Sequence, residues 1–390
     1  MISLLAKWLI PNCDKVENSE VRRAWGALCG FVGIGLNLLL FAGKLAAGTL
    51  SGSIAVTADA FNNLSDAGSS VVTLLGFRLA GRKPDADHPF GHGRMEYISG
   101  LVVAELILLM GAELAKSSFE KILHPEAVSF SWLAAAILLV SIGVKVYMYL
   151  YNNAVGKKIR SAAMSATATD SLSDTVATAA VLAAMLIGRL TNVQPDGWVG
   201  LLVALFILWS AVQAARDTVS PLLGQSPDPM LVKEIEALVM AHDTVVGVHD
   251  LVVHDYGPGR RIISLHAEVP ADGQVLALHD VIDNIEAELS RKLHCEAVIH
   301  MDPVVVGDPQ VNALHEKVAE LVRTIDPRIT IHDFRIVPGT THTNLIFDAV
   351  IPFDERLTRP QVAAQICQLV QELDGHYRAV VKIENSYVNE

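Results

Sequence analysis

Six apolar runs, each long enough to cross a bilayer, fill most of the first 220 residues and restrict the possible folds more than any other feature. An α-helix rises 1.5 Å per residue, so about 20 residues cover the ~30 Å of hydrocarbon. The runs are Ala24–Leu50, Ser53–Leu79, Met95–Ser118, Phe130–Tyr151, Ala162–Leu190 and Trp198–Ala215, the last only just long enough. Six crossings leave both ends of this half on one side. Lys15, Arg22 and Arg23 precede the first run; Arg78, Arg82, Lys83 and Arg94 separate the second from the third; Lys157, Lys158 and Arg160 separate the fourth from the fifth. The opposite loops are poor in basic residues, with Lys121 and Arg189 the main exceptions, so the positive-inside rule places both termini in the cytoplasm. Met1 to Cys13 is short and amphipathic and lacks a small-residue cleavage site, so no cleavable signal is expected.

Two of the runs carry polar groups where lipid-facing helices cannot. The second contains Asn62-Asn63-Leu64-Ser65-Asp66 and the fifth Asp170-Ser171-Leu172-Ser173-Asp174. Residues i and i+4 share a helix face, so Asn62 with Asp66, and Asp170 with Asp174, each form a two-toothed oxygen ligand. A carboxylate near the bilayer centre costs ~2.5–3.5 kcal/mol, so three at one depth are read as a functional path. The topology sets Asp66 ~20 Å from the outer boundary and Asp170 ~12 Å from the inner one, so antiparallel packing brings them level near the midplane, as it does Asn62 and Asp174. Two such helices side by side make a four-ligand cage of oxygen donors.

The remaining chain reads as soluble. The formal net charge of −12 argues against a nucleic-acid partner. Cys13, Cys29, Cys295 and Cys367 are scattered, with no CxxC pair, which gives neither a disulfide framework nor a zinc ribbon and fits a reduced, cytoplasm-facing half. After a Pro- and Gly-rich linker from Ser220 to Pro229, the pattern predicts helix Met230–His242, strands Val245–Tyr256 and Arg261–Val269, helix Val275–Leu293 and strand Ala297–Pro303. The same αββαβ order recurs as Val311–Ile325, Ile329–Val337, Thr343–Ile351, Arg359–Leu373 and Ala379–Tyr387. His249-Asp250-Leu251 is echoed by His332-Asp333-Phe334, and the segment from His266 to Pro270 by that from Asp348 to Pro352, which reads as an internal duplication. The expected architecture is an α-helical membrane domain of six transmembrane helices (1–219), then α+β domains at 220–306 and 307–390.

With the intramembrane pairs, the loop Asp85-Ala86-Asp87-His88-Pro89-Phe90-Gly91-His92-Gly93-Arg94-Met95-Glu96, the His-Asp-Leu motif and Ile299-His300-Met301-Asp302-Pro303, residues 20 to 305 resemble the cation diffusion facilitators. The resemblance implies a homodimeric, proton-coupled exporter of divalent metals in the bilayer, in a bacterial inner membrane, with no organic cofactor and no enzymatic activity. It implies a transport site of Asn62, Asp66, Asp170 and Asp174, a loop site of Asp85, His88 and His92, and a cytoplasmic site of His249, His266, His279, His300 and Asp302. Zinc-transporting members typically have Asp at the Asn62 position and His at the Asp170 position. The all-oxygen set here suits a harder ion and resembles the manganese-exporting bacterial branch, which favours Mn²⁺ over Zn²⁺, with Fe²⁺ and Cd²⁺ as alternatives.

The second α+β module departs from the family plan. Asp348 replaces the counterpart of His266, and Ile383-Glu384-Asn385 stands where His300-Met301-Asp302 would be, so its ligand pattern reads as largely lost. The basic loop residue Arg94 finds Gly224 where relatives carry an acid, with Asp217 as the alternative partner, so a charge interlock between copies is not assumed. Three crowded carboxylates in a low dielectric hold protons that an entering cation displaces, which is the requirement for antiport. An intramembrane aspartyl protease would need only one carboxylate pair. A membrane-bound metal sensor remains the competing class.

Overall fold

Backbone hydrogen bonding carries the apolar runs beyond their hydrophobic limits. The computed structural model describes residues 2–16, 18–51, 54–124, 132–191, 196–352 and 358–387. A short α1 (Ile2–Leu9) precedes six long helices: α2 (Ser19–Ser51), α3 (Ile54–Ala80), α4 (Met95–Leu123), α5 (Trp132–Ile159), α6 (Ala162–Thr191) and α7 (Asp196–Leu222). Ser53 and Phe130, which open the second and fourth runs, lie outside the described residues. Hydropathy marks only the lipid-matched part of a helix; α5 therefore continues past Tyr151 through polar Asn152 and Asn153 until Arg160, at φ 48°, leaves helical geometry. Among the described residues, four stretches, Glu20–Ala46, Met95–Leu123, Ala135–Ile159 and Gly197–Leu222, are long and apolar enough to cross a membrane. α3 and α6 are the helices with the paired polar residues.

Contacts divide the chain into two units, residues 1–225 with 256–260, and residues 226–255 with 261–390. In the first, small residues set how closely helices approach. A Cβ added at Gly26 on α2 would lie 2.5 Å from the buried Phe77 ring on α3, so only glycine permits that contact. Ala163 and Ala166 on α6 are fully packed, while Val103, Ala104 and Ile107 on α4 meet Val203, Ile207 and Ala211 on α7. At one end of the bundle Arg22 of α2 donates through both terminal nitrogens to the Glu96 carboxylate of α4, and through Nε to the Ile159 carbonyl at 2.7 Å. The Ser161 hydroxyl also donates to Glu96. This buried cluster ties α2, α4 and the α5–α6 connection together.

The second unit contains two copies of one plan. α8 (Pro229–Met240), β1 (Gly247–Asp255), β2 (Arg261–Pro270), α9 (Val275–Leu293) and β3 (Glu296–Val304) are followed by α10 (Pro309–Arg323), β4 (Thr330–Pro338), β5 (Thr343–Ile351), α11 (Arg359–Leu373) and β6 (Tyr377–Asn385). Each sheet joins an antiparallel first pair to a parallel second pair. Helices α8 and α10 open alike, on Asp228-Pro229 and Asp308-Pro309, with the aspartate accepting a backbone N–H of the first turn. The strands β1 and β4 bulge at the same place, after His249 and His332, with Asp250 at φ 51° and Asp333 at φ 52°. Aspartate tolerates that left-handed geometry better than most residues, which is what the repeated His-Asp pair supplies.

Register corrects one expected correspondence. His266 pairs with His300 and Glu268 with Asp302, whereas Asp348 pairs with Lys382 and Val350 with Glu384. The counterpart of His300-Met301-Asp302 is therefore Lys382-Ile383-Glu384, one residue earlier than sequence comparison placed it. Each module has its own apolar core, around Ile263, Leu265 and Leu289 in the first and Leu345, Phe347 and Ile366 in the second. Phe347 is fully buried, so Phe347→Ala should cost about 3–5 kcal/mol, read as accelerated hydrogen exchange across β4–β6 while β1–β3 stays protected.

Candidate metal centres

The intramembrane group is assembled from α3, α5 and α6. Asp66 of α3 and Asp170 of α6 are 3% and 5% exposed, and Asp174 stands one turn beyond Asp170. The sequence reading did not include their cationic neighbour: Lys145 of α5 reaches 2.7 Å from Asp66 Oδ2 and 2.6 Å from Asp174 Oδ2, and its ammonium also feels the charge of Asp170. Lys145 thus bridges Asp66 to Asp174, although depth alone levels Asp66 with Asp170. The signal was available, since a lone lysine inside an apolar run is a functional candidate by default. Asn62 is exposed and outside this buried group. The buried amide on α3 is Asn63, which donates to Asp66 Oδ2 at 3.2 Å and keeps its own Oδ1 buried without a hydrogen bond. Farther along, the hydroxyls of Thr73 and Thr167 meet at 2.8 Å and pin α3 against α6.

The loop residues also converge. Asp85 lies 3.3 Å from His88 Nδ1 and 3.5 Å from His92 Nε2, and the two imidazole centroids are 4.6 Å apart. The His88 backbone N–H donates to Asp85 at 2.7 Å, which is the main reason its carboxyl is held below the usual carboxylate range. His92 Nδ1 is buried and makes no hydrogen bond.

In the first α+β module, His249, His266 and Asp302 present ligand atoms all within 4.8 Å of one another. Asp302 lies 2.8 Å from His266 Nδ1, 3.2 Å from His249 Nε2 and 3.2 Å from His300 Nε2. Burial pulls the His249 pKa down, but the carboxylates of Asp250, Glu268 and Asp302 outweigh it and leave the pKa raised. His279 does not join them. It is largely exposed on α9, 3.3 Å from Asp283, because that helix buries a different face through Leu278, Ile282, Ile285 and Leu289.

The second module brings together groups that sequence comparison treated as lost. His332, Asp348 and Glu384 form a further cluster with ligand atoms within 4.8 Å, and His332 Nε2 lies 3.7 Å from Asp250 of the first module. The His249 and His332 rings stack at 4.1 Å.

The sequences of both halves are matched by known proteins. Residues 30–223 match the cation efflux transmembrane domain and residues 227–304 the cytoplasmic domain of cation efflux proteins. An uncharacterized transporter of Methanocaldococcus jannaschii is 30% identical over 269 residues, 69% of this chain and 95% of that protein. The chain is a cation diffusion facilitator.

Among other facilitators, the manganese efflux system protein MneP of Bacillus subtilis is 30% identical over 68% of this chain and 92% of its own length. The cation-efflux pump FieF of Salmonella typhi is 25% identical over 67% and 88%. As a cation diffusion facilitator, the protein is a cation efflux transporter and not an enzyme, with a divalent metal cation as substrate. It is an integral membrane protein with a cytoplasmic C-terminal region. Both family matches end by residue 304, where the first α+β module ends.

Proposed function

We propose that this facilitator exports Mn²⁺ from the cytoplasm in exchange for protons, at a site formed by Asp66, Asp170 and Asp174. The observation that carries the reading is the donor set: the buried group offers carboxylate oxygens and no imidazole, which suits a hard cation. The likeness to MneP favours the same metal. Asn62, one turn from Asp66 at the exposed edge, supplies an amide oxygen as the ion passes, while Asn63 orients Asp66. The six long helices are six membrane spans with both termini cytoplasmic, in a bacterial inner membrane, and the chain divides into domains at 1–219, 220–306 and 307–390. The working form is a homodimer.

Lys145 adds a charge argument. Three carboxylates and one ammonium give a formal charge of −2, which one divalent cation neutralises. Metal and ammonium compete for the same oxygens of Asp66 and Asp174, so cation entry displaces Lys145 from at least one of them. Protonation of the carboxylates from the far side weakens them as ligands and lets Lys145 return as the ion leaves. Asp85, His88 and His92 form a loop site and His249, His266, His300 and Asp302 a cytoplasmic one.

The test is uptake into proteoliposomes under an imposed pH gradient, with Mn²⁺ and Zn²⁺ compared. Gradient-dependent Mn²⁺ flux above that of Zn²⁺ is expected. A preference for Zn²⁺ would overturn the metal assignment and leave transport standing, while no flux of either ion would turn the protein into a sensor.

A further inference from the structure

We propose that the second α+β module carries a divalent-cation site of its own, made by His332, Asp348 and Glu384 and closed by Asp250 of the first module. The three residues stand on three adjacent strands of one sheet. His332 pairs with Asp348 across β4 and β5, and Glu384 lies two residues beyond Lys382, the β6 partner of Asp348, so it is on the same face. Their ligand atoms lie within 4.8 Å of one another, close enough for one ion to touch all three.

Two independent features point at a ligand. His332 Nε2 is buried and makes no hydrogen bond, although Asp250 Oδ1 is 3.7 Å away. The neighbouring His249 side chain is 9% exposed, and its Nδ1, 3.8 Å from Asp250 Oδ2, also lacks a hydrogen bond, while its Nε2 faces Asp302 of the first module. An unsatisfied buried nitrogen costs about 1–3 kcal/mol, and here the orphaned atoms fall between carboxylates rather than among apolar groups. A cation bound to His332 Nε2 satisfies that atom and draws Asp250 in as a further oxygen ligand.

The donor chemistry sets the class of ion. The first module gathers two imidazoles and one carboxylate in His249, His266 and Asp302; the second offers one imidazole and two carboxylates, or three with Asp250. That set is harder and takes Mn²⁺ or Fe²⁺ in preference to a soft ion. Lys382 occupies the row that His300 holds in the first sheet. Its ammonium contacts Glu384 and lies 3.8 Å from Asp348, yet the side chain is 66% exposed, so it can swing into water when a cation takes the carboxylates. Lys382 is thus a tethered competitor for the ion.

Mn²⁺ binding to the full chain in detergent, counted by loss of the free-ion electron paramagnetic resonance signal, tests this. The background is Asp174→Ala, His88→Ala and His266→Ala, which removes the other candidate sites. One Mn²⁺ per chain is expected in the background and none after Asp348→Asn with Glu384→Gln. Lys382→Met, which removes the competing charge, should tighten that binding by about ten-fold. No Mn²⁺ in the background, or an ion retained in the double variant, overturns the site and leaves Lys382 a permanent counter-ion. If the double variant fails to fold, Lys382→Met decides: tighter binding supports the site, and unchanged or weaker binding refutes it.

Discussion

Lys145→Met should tighten Mn²⁺ binding at the intramembrane group by about 100-fold, on the order of 3 kcal/mol, and stall release. The ammonium touches one oxygen each of Asp66 and Asp174 and is almost fully buried, so its charge is poorly screened. Without it, an ion displaces a proton in place of a tethered ammonium, because the carboxylates carry one more negative charge for the protons to balance, and the gain in affinity grows with pH. Isothermal titration at two pH values should therefore show one additional proton released per ion bound, with turnover in proteoliposomes falling as affinity rises. Asp174→Ala is the matched control: it removes a ligand and a Lys145 partner together, and flux should be lost without any gain in affinity. An unchanged Mn²⁺ affinity in Lys145→Met would reduce the lysine to a packing role.

The second large effect is expected at the Arg22–Glu96 pair. Glu96 is 1% exposed and receives two bonds from Arg22 and one from Ser161, so Glu96→Ala strands a guanidinium in the protein interior. Breaking a buried pair from one side costs about 3–5 kcal/mol. Glu96→Gln keeps the shape and part of the hydrogen bonding and should lose less. Unfolding in detergent reads the difference, and a double-mutant cycle with Arg22→Ala should return a coupling of ~1 kcal/mol or more. If Glu96→Ala unfolds with the parent protein, the cluster does not hold the three helices together.

Much of this was legible in the chain because burial leaves a plain mark on sequence. Asp66, Asp170 and Asp174 stand out because a carboxylate in an apolar run needs a reason. Lys145 obeys the same rule, but a long lysine stem also lets the charge snorkel to an interface, and only the packing of α5 against α3 and α6 brings it between two aspartates. Asn62 and Asn63 differ by 100° around a helix, and i,i+4 spacing to Asp66 favours the first while the bundle buries the second. His279 was excludable, since Leu278, Ile282, Ile285 and Leu289 already define the buried face of α9. In β6 a one-residue slip exchanged the two faces, which hid Glu384 as a possible ligand, and the alternation of Val381 and Ile383 with Lys382 and Glu384 is the pattern that restores it.

The duplicated modules are joined by residues 305–308, the short stretch between the end of β3 and the start of α10. So brief a tether holds the His332 face beside the His249 face at an effective concentration in the millimolar range. Within this chain, then, the first module meets its own relative before it meets a neighbour. The surface on which His249 stacks with His332 is already taken, and any pairing between two copies has to be made elsewhere.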